Sequence, residues 1–172
     1  MPITVNEGGT LYELDTITSN EGGTLYELDT ITSNEGGTLY EIHSGKLKVT
    51  WTSYGSSYAT ILSTGSAKNK AWVTFTANFA SMGSTPDVIK GVFSLKAGQK
   101  VVASWEINNT GPTSSGSPKL YSSSGKLLSD RVAYYQDGYT ANADYINCYI
   151  TFPFRKLSSS TSATVTFTIT IS

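Results

Sequence analysis

In the last ten residues, Ala163-Thr-Val-Thr-Phe-Thr-Ile-Thr-Ile-Ser172, apolar and threonine side chains alternate without a break through Ile171. Successive side chains of an extended backbone point to opposite faces, so Val165, Phe167, Ile169 and Ile171 share one face and Thr164, Thr166, Thr168 and Thr170 the other. This is the pattern of a half-buried strand. The same period runs back through the chain. Leu47, Val49 and Trp51 alternate with Lys46, Lys48, Thr50 and Thr52, and Tyr54-Gly55-Ser56-Ser57 reads as the turn that follows. Val73, Phe75, Ala77 and Phe79 alternate with Trp72, Thr74 and Thr76, while Val101, Ala103, Trp105 and Ile107 share a face with Trp105 as a core anchor.

Between these lie weaker segments. Tyr58 to Ser63 reads as a short strand, with a loop over 65–69 and a second loop from Met82 to Asp87. Val88 to Leu95 and Lys100 to Ile107 flank Lys96-Ala97-Gly98-Gln99 and predict an antiparallel pair. Asn108 to Pro118 is a polar loop of low complexity, and Lys119 to Ser122 with Lys126 to Tyr134 makes a hairpin around Ser123-Ser124-Gly125. Tyr145 to Phe152 is a strand that Pro153 is expected to break. About nine strands and no helical period predict an all-β body, a single jelly-roll-like β-sandwich of about 8–9 antiparallel strands.

The N-terminal stretch is organised differently. Asn6-Glu-Gly-Gly-Thr-Leu-Tyr-Glu-Leu-Asp-Thr-Ile-Thr-Ser19 recurs unchanged over 20–33, and a third copy from Asn34 matches through Glu41. Each unit carries Thr, Leu, Tyr and Ile at strand-like density, followed by Ser-Asn-Glu-Gly-Gly as a cluster of turn formers. The glycine pairs Gly8-Gly9, Gly22-Gly23 and Gly36-Gly37 allow two successive positive φ angles, as a tight turn needs. The Leu and Ile spacing of three also fits a short helix, but the recurring Gly pairs and β-branched residues favour strand. Since 14 is even, equivalent residues of an extended arm return to the same face.

Two regions follow: an arm over 1–43 and a β-sandwich domain over 44–172. The arm is too poor in apolar material to close a core alone. Leu11, Tyr12, Leu14 and Ile17, with their equivalents Leu25, Tyr26, Leu28, Ile31, Leu39 and Tyr40, therefore need a partner surface, and they are the candidate subunit-interface residues. The formal charge of -1 conceals an asymmetry, because residues 1–43 hold eight acids and no Lys or Arg, while all twelve Lys and Arg follow with only five acids. An acidic arm on a basic body favours arm-to-body contact, within a chain or between neighbours.

Catalytic chemistry finds little to build on. His43 is the only histidine and Cys148 the only cysteine, so no intrachain disulfide forms and Ser-His or Cys-His nucleophile systems lack their parts. Cys148, in a strand-like run, reads as a buried small apolar residue, with a link between subunits as the alternative. The body's carboxylates, Asp87, Glu106, Asp130, Asp137 and Asp144, show no paired spacing. Asp137, Asn142 and Asp144 share a Gly-containing loop without the spacing of a calcium loop. The expectation is no enzyme activity, no metal and no cofactor. Basic residues are scattered rather than striped, which disfavours nucleic acid. No window approaches a membrane span, and Met1-Pro-Ile-Thr-Val-Asn-Glu7 lacks the basic and apolar regions of a signal peptide.

The layout, a short repeated arm before a β-sandwich, resembles two kinds of assembly. One is the jelly-roll subunit of bacterial spore appendages, whose N-terminal connector bridges neighbouring subunits; its connector carries cysteines, and residues 1–43 have none. The other is the viral or phage fibre with a repeat shaft and a β-sandwich knob. The resemblance implies a structural subunit that self-assembles into an extracellular fibre or surface appendage, on a spore or virion, without classical secretion. Its partner would be itself, a homopolymer formed by strand addition and arm docking. The alternative is a carbohydrate-binding or adhesive head on a trimeric stalk, with Tyr134, Tyr135 and Tyr139 as its ligand face.

Overall fold

The computed structural model describes the chain continuously from Lys46 to Ser172 and, before that, the backbone of six short strands. The chain divides into two compact units, Met1–Leu47 and Lys48–Ser172. Every regular element among the described residues is a strand.

In the first unit, β1 (Thr4–Glu7) pairs with β2 (Thr10–Glu13), β3 (Thr18–Glu21) with β4 (Thr24–Glu27), and β5 (Thr30–Glu35) with β6 (Thr38–Ser44), all antiparallel. The register repeats with the sequence. Glu7 faces Thr10, Glu21 faces Thr24 and Glu35 faces Thr38, so only the glycine pair separates the strands of each hairpin. Those six glycines lie outside the described residues, as do Leu14, Ile17 and Leu28. One expectation is corrected: Asn20 and Glu21, assigned above to a turn cluster, are strand residues opposite Leu25 and Thr24. The pairing runs up to Glu7, Glu21 and Glu35, so the Asn and Glu of each unit are extended rather than part of a longer turn.

The second unit holds eleven strands: β7 (Thr50–Ser53), β8 (Ala59–Ala67), β9 (Lys70–Ala77), β10 (Asp87–Leu95), β11 (Lys100–Asn109), β12 (Thr113–Ser115), β13 (Lys119–Tyr121), β14 (Leu127–Ser129), β15 (Tyr139–Thr140), β16 (Tyr145–Lys156) and β17 (Ala163–Ile171). They form two antiparallel sheets. One runs β14-β13-β16-β10-β7, with β12 also paired to β16, and the other runs β15-β11-β17-β9-β8. The C-terminal strand is central in the second sheet, paired along its length with β11 and β9.

The alternation read from the sequence is what joins the sheets. Val165, Phe167 and Ile169 on β17 and Val73 and Phe75 on β9 are fully buried, as are Ile150, Phe152 and Phe154 on β16. Phe152 stacks on Phe167 with centroids 4.7 Å apart, Phe75 meets Phe152 edge-on at 6.3 Å, and Trp51 meets Phe167 at 5.9 Å. These rings come from opposite sheets, so the two inner faces form one β-sandwich-like core. Each such side chain contributes about 1.5–3 kcal/mol through burial.

Several local expectations are corrected. The segments around Lys96–Gln99 do not pair with each other: β10 lies between β16 and β7, and β11 between β17 and β15. The turn exists, with Gln99 N–H donating to the Lys96 carbonyl at 3.1 Å, but it carries the chain from one sheet to the other. Pro153 does not end β16, which continues to Lys156. It stands opposite Asp87 where the β10 register shifts, a bulge at which no N–H is required of it. β8 extends to Ala67 through the expected loop, and Thr113–Ser115 of the polar 108–118 stretch forms β12. Trp105 is half-buried rather than a deep anchor.

Candidate interaction surfaces

A solvent-open cleft of about 810 Å³ lies on the body, between the entry to β10 (Thr85, Pro86, Asp87), the approach to β13 (Gly116, Ser117, Lys119) and the segment after β14 (Asp130, Arg131, Gln136), with Pro153 also in its lining. Pro153 organises these walls. Its carbonyl accepts from Gly116 N–H at 3.1 Å, and the next residue, Phe154, donates its N–H to the Pro86 carbonyl at 3.1 Å. Gly116 passes so close that a β-carbon there would lie 2.9 Å from Pro153 Cγ. Gln136 is fixed by its backbone N–H on the Ala133 carbonyl at 2.8 Å and by Ala133 N–H on its Oε1 at 3.3 Å. Arg131 reaches Asp137 at 3.4 Å, a pair exposed on both sides and so weakly held.

The tyrosines expected to share one face divide into two groups. Tyr134 and Tyr135 are 61% and 58% exposed and meet each other edge-on at 5.2 Å. Both pack edge-on against Trp105, at 5.7 and 6.0 Å, and Trp105 in turn touches Phe152 of the core at 5.2 Å. The Tyr135 hydroxyl hydrogen-bonds Ser117 Oγ at 3.2 Å, which sets that ring at the cleft rim. Tyr139, on β15, belongs elsewhere: its hydroxyl donates to the Tyr145 hydroxyl at 3.2 Å, and Tyr145 donates to Asn142 Oδ1 at 2.6 Å. Burial, then the hydrogen bond and charge of Tyr145, pushes the Tyr139 pKa up to about 12.

A third aromatic group was not read from the sequence. Tyr121 on β13 stacks on Tyr149 of β16 at 5.1 Å, and Lys90 Nζ of β10 sits 4.1 Å from the centre of the Tyr149 ring. Tyr149 alternates with the buried Cys148 and Ile150, so its outward direction was legible. Its neighbours were not, because they depend on which strands flank β16.

The sheet edges differ in length. β15, β14 and β7 present two, three and four residues, whereas β8, outermost in its sheet, presents nine and contains neither charge nor proline. Leu62 on it is 56% exposed, at the one register shift in its pairing with β9. Edges of this length normally carry Lys, Pro or strong bulges that prevent further pairing.

The remaining candidate residues are dispersed. Asp144 accepts from Ala97 N–H at 2.8 Å, Asp137 faces Arg131, and Asn142 serves the tyrosines. No group of three His, Cys, Asp or Glu suited to a metal occurs among the described residues. Glu106 is exposed. Cys148 is fully buried, its thiol donating to the Phe93 carbonyl at 3.3 Å. In the arm, Leu11, Leu25 and Leu39 stand opposite Asn6, Asn20 and Asn34, Tyr12 opposite Val5, Tyr26 and Tyr40 opposite Ser19 and Ser33, and Ile31 opposite His43. No helix among the described residues is long and apolar enough to cross a membrane. Comparisons with protein-family models, with curated proteins and with solved structures find no match to this chain.

Proposed function

We propose that this chain is a self-assembling structural subunit whose body is a jelly roll and whose arm docks on the body of a neighbouring copy. The strand order supports the fold reading. Setting β7, β8 and β12 aside, the sheets reduce to β15-β11-β17-β9 and β14-β13-β16-β10. The chain changes sheet from β9 to β10, β10 to β11, β11 to β13, β14 to β15, β15 to β16 and β16 to β17, the connectivity of paired Greek keys.

The observation that carries the assembly reading is the β8 edge: nine residues, uncharged, outermost in its sheet. Its occupant is the arm of a second copy. That arm is strand-forming, repeats one hairpin register three times, and bears eight acids against a basic body. Strand addition supplies main-chain hydrogen bonds, and the opposite charges favour the encounter. A head-to-tail contact of this kind does not close on itself and so propagates into a filament. Such a filament suits an appendage or virion surface.

Negative-stain electron microscopy of three proteins tests the reading. The full chain is expected to form long filaments, and deletion of residues 1–33 to abolish them. Leu62→Lys, which places a charge on the edge at an already exposed position, is expected to do the same while leaving the fold intact. Discrete trimers of the full chain, or filaments unaffected by both changes, would refute it.

A further inference from the structure

We propose that the cleft around Pro153, with Tyr135 at its rim and Tyr134 packed beside it, is a binding site for a neutral oligosaccharide. The charges in the cleft argue first. Asp87 and Asp130 oppose Lys119 and Arg131, so the lining is formally neutral and offers no field for a polyanion or a polycation. What it offers instead is mixed hydrogen bonding. Two carboxylates accept, the ammonium, guanidinium and Gln136 amide nitrogen donate, and the hydroxyls of Thr85 and Ser117 do either. Each hydroxyl of a sugar both donates and accepts. Planar carboxylate, guanidinium and amide groups can engage two adjacent hydroxyls at once.

The rim supplies the apolar half. A sugar ring presents a face of C–H bonds, and an exposed aromatic ring is its natural partner. Tyr134 and Tyr135 keep more than half of their surface in solvent, yet neither is loose. Trp105 holds both edge-on, each holds the other, and the Tyr135 hydroxyl is tied to Ser117 inside the cleft. A ring fixed before binding loses little entropy on contact, which is how a shallow surface gains affinity. A cleft of about 810 Å³ falls within the range of small-ligand sites and leaves room for several sugar rings.

Saturation-transfer difference NMR on the full chain tests this, using maltohexaose, cellohexaose, mannohexaose and chitohexaose as neutral probes and a heparin hexasaccharide as the anionic one. Transfer improves with particle size, so the readout works on filaments and on single subunits alike, and its outcome is independent of the assembly reading. At least one neutral probe should receive saturation on its ring C–H protons. Tyr135→Ala and Arg131→Ala should each weaken that binding about tenfold. Tyr135→Phe, which keeps the ring, should retain most of it, and Tyr139→Ala, in the separate tyrosine cluster, all of it. The proposal is overturned by any of three results: no transfer to any neutral probe, preference for heparin over every neutral probe, or transfer that survives both Tyr135→Ala and Arg131→Ala.

Discussion

Gly91 on β10 stands opposite Trp51 on β7, and Gly65 on β8 opposite Trp72 on β9. In both pairs the indole lies across the glycine where a side chain would otherwise stand. The missing β-carbon weakens a strand, and the ring restores the lost packing. Gly91→Ala should therefore destabilise the body by about 1–3 kcal/mol, since Trp51 is wedged against Phe167 and cannot swing away freely; guanidinium unfolding monitored by fluorescence would measure it. Cys148 gives a pH dependence with a definite sign. Burial pushes its thiol from the ordinary 9.0 up to about 11. The folded chain then keeps a proton that the unfolded chain releases, so this stabilisation is whole below pH 9.0 and is lost as pH rises through about 11. Over that window the wild type should lose roughly 2 kcal/mol more stability than Cys148→Ala, read from denaturant titrations at matched pH.

Among the elements, β16 does most to organise the body. It pairs with β10 along one side and with β13 and β12 along the other, so the placing of Pro153 in the cleft lining and the Tyr121–Tyr149 stack both depend on its register. Two irregularities bracket it. One is Pro153 opposite the shift between Asp87 and Ile89; the other is Asn147, with φ of 55°, opposite the shift between Phe93 and Leu95. Asn tolerates the left-handed region because its short polar side chain bonds locally, whereas a β-branched residue does not. Asn147→Val should thus cost about 1–2 kcal/mol, and Asn147→Gly should cost little, a contrast that thermal unfolding of the two variants would reveal. The strands themselves were largely legible, since one face of each is apolar. Their partners were not: Lys96-Ala97-Gly98-Gln99 has the same composition whether it closes a hairpin or crosses between sheets.

For the whole molecule, the charge division is the feature with the longest reach. If the acidic arm is held to a basic neighbour, assembly should weaken with ionic strength, because screening shortens the range of attraction between exposed charges. The concentration needed for filaments should rise between about 0.05 M and about 0.5 M sodium chloride, and sedimentation at several protein concentrations would show it. A filament held by main-chain pairing alone would not respond in this way.

The sequence by itself determined the all-β class, the alternating faces of β9, β11 and β17 and the three-fold repetition of the arm. All of these follow from period and composition, which act over a few residues. Only the tertiary structure decided which strands share a sheet, that Pro153 sits at a tolerated bulge inside β16, and that Tyr135 reaches Ser117 while Tyr139 turns to Tyr145. Pairing of distant strands depends on how two apolar faces fill one core, a condition on the whole chain that no local window contains.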